Sequence, residues 1–105
     1  MRVSILTPEY PPHIYGGAGV HPGPLVPQLR KFVDSVDGQG IGEPRVGATA
    51  HPETFPDGAN AALRVVGTSV AMSAATPEVD VVHAHTWYAQ FSGILSKHFQ
   101  DIPLV

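Results

Sequence analysis

Two short runs constrain the fold most: Val3-Ser4-Ile5-Leu6-Thr7 near the start, and Val79-Asp80-Val81-Val82-His83-Ala84-His85 seventy-six residues later. Both are rich in β-branched residues, and the first is apolar at nearly every position. A half-exposed strand would alternate; a run that is apolar on both faces fits a strand buried inside a parallel sheet. Each ends in polar residues, as strands do when their carboxyl ends open onto a crevice. Parallel strands need crossover connections, so the long stretches between the runs must supply helices.

Those stretches read unevenly. After the first run, Pro8 to Val20 holds three prolines and three glycines (Gly16, Gly17 and Gly19), the punctuation of a strand-loop-helix connection. A helix should follow, with Leu25, Leu29 and Phe32 or Val33 at helical spacing. Pro22 and Pro24 suit its first turn, whereas Pro27 requires either a start near Val26 or a kink. Residues 34–60, with glycines at 38, 40 and 42, read as loop with one poor strand at most. From Asp57 or Asn60 as cap, an Ala-rich helix runs to a stop before Pro77, with Leu63, Val66, Val70 and Ala74 on one face. A third helix after Thr86, the expected N-cap, places Tyr88, Phe91, Leu95 and Phe99 on one stripe, and Ile102-Pro103-Leu104-Val105 resembles the entry to another strand. The order is that of an α/β fold, a parallel sheet with flanking helices and right-handed crossovers.

Composition narrows the class. Glycine and proline each number 11 in 105 residues, yet Leu, Ile, Val and Phe number 28, enough to bury a small core. A chain of this length is at most one small domain or part of one. The net charge of −3 and the scattering of six Lys and Arg residues give no basic stripe for nucleic acid or for an anionic membrane. With no cysteine, a disulfide framework and a thiolate metal site are excluded. No segment reads as a signal peptide or membrane span, so a cytoplasmic protein is the expectation.

The candidate chemistry lies at the strand ends. Gly16-Gly17-Ala18-Gly19 has the setting in which backbone amides approach a phosphate, with His21 beside it. Alone, a loop of this kind is more often a plain tight connection, and it matches neither the dinucleotide fingerprint nor a P-loop. His83 and His85 lie on one side of a strand. They could form half a metal site, but such a pair more often lines a polar cleft, and no metal is expected. Trp87 and Tyr88 could stack on a sugar ring or pack at a helix start. No spacing identifies a catalytic triad or a carboxylate pair.

Taken together, Arg2 to Thr7, Glu9-Tyr10-Pro11-Pro12, Tyr15-Gly16-Gly17-Ala18-Gly19-Val20-His21, Asn60 to Arg64 and Val79 to Tyr88 resemble the N-terminus of glycogen synthases. The likeness is closest to the actinobacterial type, among the retaining nucleotide-sugar glycosyltransferases of the GT-B fold. The resemblance implies two Rossmann-like domains facing across a cleft. Glucose passes from ADP-glucose to an α-1,4-glucan or to glucose 1-phosphate, with retention and with no metal or other cofactor. It implies that Gly16, Gly17, Gly19 and His21 lie beside the donor phosphates, and that His85, Thr86, Trp87 and Tyr88 lie on the acceptor side. Ile14-Tyr15 and Thr86 set the chain apart from the classical bacterial branch, which carries Lys-Thr and Asp there. By the same resemblance residues 1–105 are an incomplete N-terminal domain without the C-terminal donor-binding domain, expected to be inactive alone and to hold no catalytic residue. The alternatives are a free-standing α/β module that binds a sugar or phosphate without catalysis, and a poorly folded remnant.

Overall fold

The structure, a computed structural model, describes residues 1–10, 20–53 and 57–105. The elements run β1 (Arg2–Thr7), α1 (Pro22–Leu29), β2 (Ser35–Ile41), β3 (Thr49–His51), α2 (Ala61–Ala75), β4 (Val81–Ala84) and α3 (Thr86–Gln100). The strands form one sheet in the order β3-β2-β1-β4, and all three pairings are parallel. A further parallel bridge joins Val82 to Leu104, so the C-terminal residues already lie along the β4 edge. This is the α/β arrangement that the element order implies and the Rossmann-like one that the resemblance implies.

β1 is central because both of its faces are covered. Val3 and Ile5 join Tyr10 and Val26 in a cluster on the α1 side, while Leu6 joins Ile41, Met72, Val82, Ala89 and Ile102 on the α2–α3 side. The strand period of two carries this alternation into β4, where Val82 meets the α2–α3 cluster and Val81 the α1 cluster. His83, in the same parity as Val81, therefore stands on the α1 side.

Helix α1 begins at Pro22, four residues earlier than a start near Val26. Pro22 and Pro24 occupy first-turn positions, where no N–H is needed, and Pro27 sits inside the helix, leaving the Gly23 carbonyl without its i+4 donor. The helix ends at Leu29, so Phe32 falls outside it and is exposed.

Residues 34–60 hold two strands where the sequence suggests one at most. Their glycines have a packing reason. A β-carbon on Gly38 would stand 3.0 Å from the Gly47 carbonyl oxygen, and one on Gly40 would stand 3.1 Å from the Arg45 guanidinium. The 42–48 loop folds back over β2, and only glycine leaves room for it. Gly42 turns the chain into that loop with a φ of 101°.

The long helices invert the expected amphipathicity. On α2 the buried residues are Val65, Thr68, Ser69, Met72 and Ser73, whereas Leu63, Val66 and Val70 are exposed. On α3 they are Ala89, Ser92, Gly93 and Ser96, whereas Phe91 and Phe99 are exposed. Small residues let α2 and α3 approach each other and the sheet closely, and apart from Ser69, whose buried hydroxyl has no partner, their hydroxyls find partners locally. Ser92 donates to the Ala89 carbonyl at 2.6 Å, Thr68 to that of Arg64 at 3.0 Å, and the Ser73 and Ser96 hydroxyls lie 3.1 Å apart. A serine satisfied by its own helix can be buried at little cost, and hydrophobic spacing alone does not register that. Asn60 caps α2 as expected, its side chain accepting from the Leu63 N–H at 3.0 Å.

Beneath α2 a polar network crosses the sheet. Gln39, fully buried, donates from Nε2 to Asp37 and to Thr76, each at 3.1 Å, and its Oε1 lies 2.9 Å from His51 Nε2. With both amide hydrogens used, the Gln39 oxygen can only accept. His51 therefore carries a proton on Nε2. Ser4 on β1 donates to the same Asp37 carboxylate at 2.9 Å. The network links β1, β2, β3 and the C-cap of α2.

Candidate functional site at the carboxyl edge of the sheet

The carboxyl ends of β1, β2 and β4 share one edge. At the end of β1, Thr7 donates to the Glu9 carbonyl at 2.7 Å and accepts from the Glu9 N–H at 3.2 Å, which turns the chain out of the sheet. At the end of β4 the His85 N–H donates to the Leu6 carbonyl at 2.8 Å. His85 thus continues the β1–β4 ladder one residue past the strand and stands on the same face as His83.

There the structure gathers three histidines. The His83 and His85 rings stack with centroids 4.3 Å apart, and His21, at the N-cap of α1, brings its ring to 5.1 Å from His85. Of the residues expected on the donor side, His21 is therefore brought against the acceptor-side motif. Gly16, Gly17 and Gly19 lie outside the described residues. Burial pushes the His85 imidazole down to about 4, with the neighbouring His83 and His21 acting in the same direction. His83 is lowered as well, mainly by burial and then by His21. Both rings are therefore neutral near pH 7, each able to donate from one nitrogen and accept at the other. The buried Nε2 of His85 has no hydrogen-bond partner. Among the described residues no group of three or more His, Cys, Asp or Glu has the arrangement to hold a metal ion.

Thr86 follows with a φ of 66°, a left-handed conformation that a β-branched residue rarely adopts. Holding it costs on the order of 1–3 kcal/mol and persists only where the surroundings demand it. The expected N-cap is therefore displaced by one residue: His85 is the cap, and Thr86 is the first helical residue. The sharp turn separates His85, directed into the α1 side, from Trp87 and Tyr88, which lie on the first turn of α3. Those two rings sit 4.1 Å apart at 32° and remain 56% and 39% exposed. They form an open aromatic surface and are not core packing.

Arg45 also reaches this edge, although nothing in its sequence setting singles it out. Its guanidinium donates to the carbonyls of Ile41 (2.6 Å), Glu43 (3.0 Å) and Tyr10 (3.3 Å). It therefore ties the 42–48 loop to the residue that precedes the glycine-rich connection. The only sequence sign was the glycine at every second position of β2, which leaves space for that side chain.

No protein-family model matches the chain. Over all of its residues it is 47% identical to an alpha-maltose-1-phosphate synthase of Mycolicibacterium smegmatis and 46% identical to the protein of the same name from Mycobacterium tuberculosis, strain CDC 1551. It spans 27% of the length of each. These relatives are glycosyltransferases, and the similarity runs from end to end of the chain. The resemblance to glycogen synthases is thereby refined, since the relatives are named for making a disaccharide phosphate. No helix among the described residues is long and apolar enough to cross a membrane.

Proposed function

We propose that this chain forms the front of the N-terminal domain of a retaining glycosyltransferase that carries glucose from ADP-glucose to glucose 1-phosphate. The observation that carries the reading is the end-to-end identity of 47% with a protein named for maltose 1-phosphate synthesis. The acceptor follows from that product, because one glucosyl unit added to glucose 1-phosphate gives maltose 1-phosphate. The bond formed joins the donor glucose C1 to an acceptor hydroxyl oxygen; the bond broken joins C1 to the diphosphate, which leaves as ADP.

On this reading the residues of the carboxyl edge position the acceptor. His85 offers a neutral imidazole whose Nε2 is buried and lacks a partner, and it would bond a sugar hydroxyl once the groups covering it move aside. Trp87 and Tyr88 present half-exposed rings of the kind that pack against a pyranose face. The glycine loop, Gly16, Gly17 and Gly19, and His21 would serve the donor phosphates. Stabilising the departing diphosphate is the largest demand of such a reaction. The 105 residues match about a quarter of each relative's length, and we assign that work to the part they do not match.

Titration of the isotopically labelled chain with glucose 1-phosphate, ADP-glucose and maltotetraose, followed by amide and imidazole NMR shifts, tests this. Saturable shifts at His85, Thr86 and Trp87 with glucose 1-phosphate support it. Shifts there with maltotetraose alone would make a glucan the acceptor, and no response to any of the three would remove the site.

A further inference from the structure

We propose that Asp57-Gly58, in the turn that leads into α2, is a site of spontaneous main-chain isomerisation through a cyclic imide, and that the change loosens the start of that helix. The chain holds two Asp-Gly pairs, Asp37-Gly38 in β2 and Asp57-Gly58, so the fold itself supplies the comparison. Glycine matters because, with no β-carbon, its nitrogen is open to close approach by the preceding carboxyl. At the first pair the structure blocks that approach. Gly38 is buried, pairs with Ile5 across the sheet and has the Gly47 carbonyl oxygen packed over it, while the Asp37 carboxylate accepts from Ser4 at 2.9 Å and from Gln39 at 3.1 Å. At the second pair nothing does. Asp57 and Gly58 are exposed, Gly58 turns with a φ of 87°, and a β-carbon there would meet nothing within 4 Å. Among the described residues neither the Asp57 carboxylate nor the Gly58 N–H has a hydrogen-bond partner. Asn60 is the cap of α2, which leaves Asp57 without that role.

The step needs no co-reactant other than water. The Gly58 nitrogen attacks the Asp57 side-chain carboxyl carbon; a C–N bond forms, and the carboxyl hydroxyl leaves with the amide proton as one water, closing a five-membered imide. A second water then opens the ring. Breaking the bond from nitrogen to the side-chain carbon restores aspartate, whereas breaking the bond from nitrogen to the main-chain carbon leaves the chain running through the Asp57 β-carbon, one atom longer. Mass and oxidation state are unchanged. The extra atom enters just ahead of the groups that hold the start of α2. The Ala59 carbonyl accepts from Arg64 Nε at 3.1 Å, the Asn60 side chain accepts from the Leu63 N–H at 3.0 Å, and Arg64 pairs with Glu53 at 3.7 Å. A main chain re-routed at Asp57 shifts the carbonyl and the cap together.

The test keeps the full chain at neutral pH and body temperature for several weeks, natively and in urea, and locates isoaspartate in its digest by electron-transfer fragmentation. In the native chain isoaspartate at position 57 should exceed that at position 37 at least roughly tenfold, because Asp37 reacts only in molecules whose sheet has opened. In urea the two positions should react at similar rates. Asp57→Glu, whose imide would be a slower-forming six-membered ring, should show no change there. The isomerised form, separated by ion exchange, should show shifted Leu63 and Arg64 amides and a lower melting temperature than fresh chain. Equal isoaspartate at the two positions under native conditions overturns the proposal, as does a native position 57 that stays unmodified while the urea sample reacts. Isomerised chain whose Leu63 and Arg64 amides have not moved overturns the link to α2.

Discussion

The stacked imidazoles of His83 and His85, 4.3 Å apart at the carboxyl end of β4, make the stability of this fold sensitive to pH. Burial lowers both, His85 to about 4, from an ordinary value of 6.5, and His51 is lowered in its network by burial. Between about 4 and 6.5 the unfolded chain takes up protons that the native His85 refuses. The stability linked to these groups is complete above pH 6.5 and declines as the pH falls below it. For His85 the contribution is at most about 3 kcal/mol. Denaturant titrations at pH 4.5 and 7.5 should show the fold weaker at the lower pH, and His85→Phe should flatten most of the difference. An unchanged difference in that variant would contradict the assignment.

The same substitution separates stability from binding. His85→Phe removes a buried nitrogen that has no partner, so at pH 7.5 the melting temperature should hold or rise. The shifts induced by glucose 1-phosphate should vanish. If binding persists, His85 does not touch the sugar.

Thr86, at a φ of 66°, should accept glycine with a gain in stability of about 1 kcal/mol, because the strain is removed. The turn that fixes Trp87 relative to His85 would loosen, and affinity for the sugar phosphate should fall several-fold. A stability loss in Thr86→Gly would show that the side chain holds more than the backbone conformation costs.

Gln39→Leu should be among the most damaging single changes, costing on the order of 2–4 kcal/mol, because it strips partners from the His51 N–H, the Asp37 carboxylate and the Thr76 hydroxyl at once. Gln39→Glu keeps an acceptor for His51 but loses both donations, and should fall between the two. Urea midpoints measure both.

The sheet was legible because its signal is local. Val3 to Thr7 is apolar at nearly every position, and Val79 to Val82 repeats its β-branched character before ending in polar residues, as strands buried in a parallel sheet do. β2 was not legible, because its glycines serve the distant Arg45 loop and not the strand itself. The buried faces of α2 and α3 were misread for a related reason. Ser73, Ser92 and Ser96 look like solvent-facing residues until their backbone and mutual partners are known. At the site, residue spacing brought His83 and His85 together, and the resemblance marked the motif through Tyr88. That His21 joins them could not be read, since it depends on where α1 starts after a proline-rich connection. The resemblance also reached the glycosyltransferase class and left the acceptor open between a glucan and glucose 1-phosphate; the relatives' names favour the second.

Replacement tests most directly whether these residues serve a maltose 1-phosphate-forming enzyme, as we propose. The matching segment of the Mycolicibacterium smegmatis relative is exchanged for this chain, and product formation from ADP-glucose and glucose 1-phosphate is measured. A folded chimera that makes maltose 1-phosphate, with at least a hundredfold loss in its His85→Ala form, is the predicted result. A chimera that melts cooperatively yet forms no maltose 1-phosphate would contradict it.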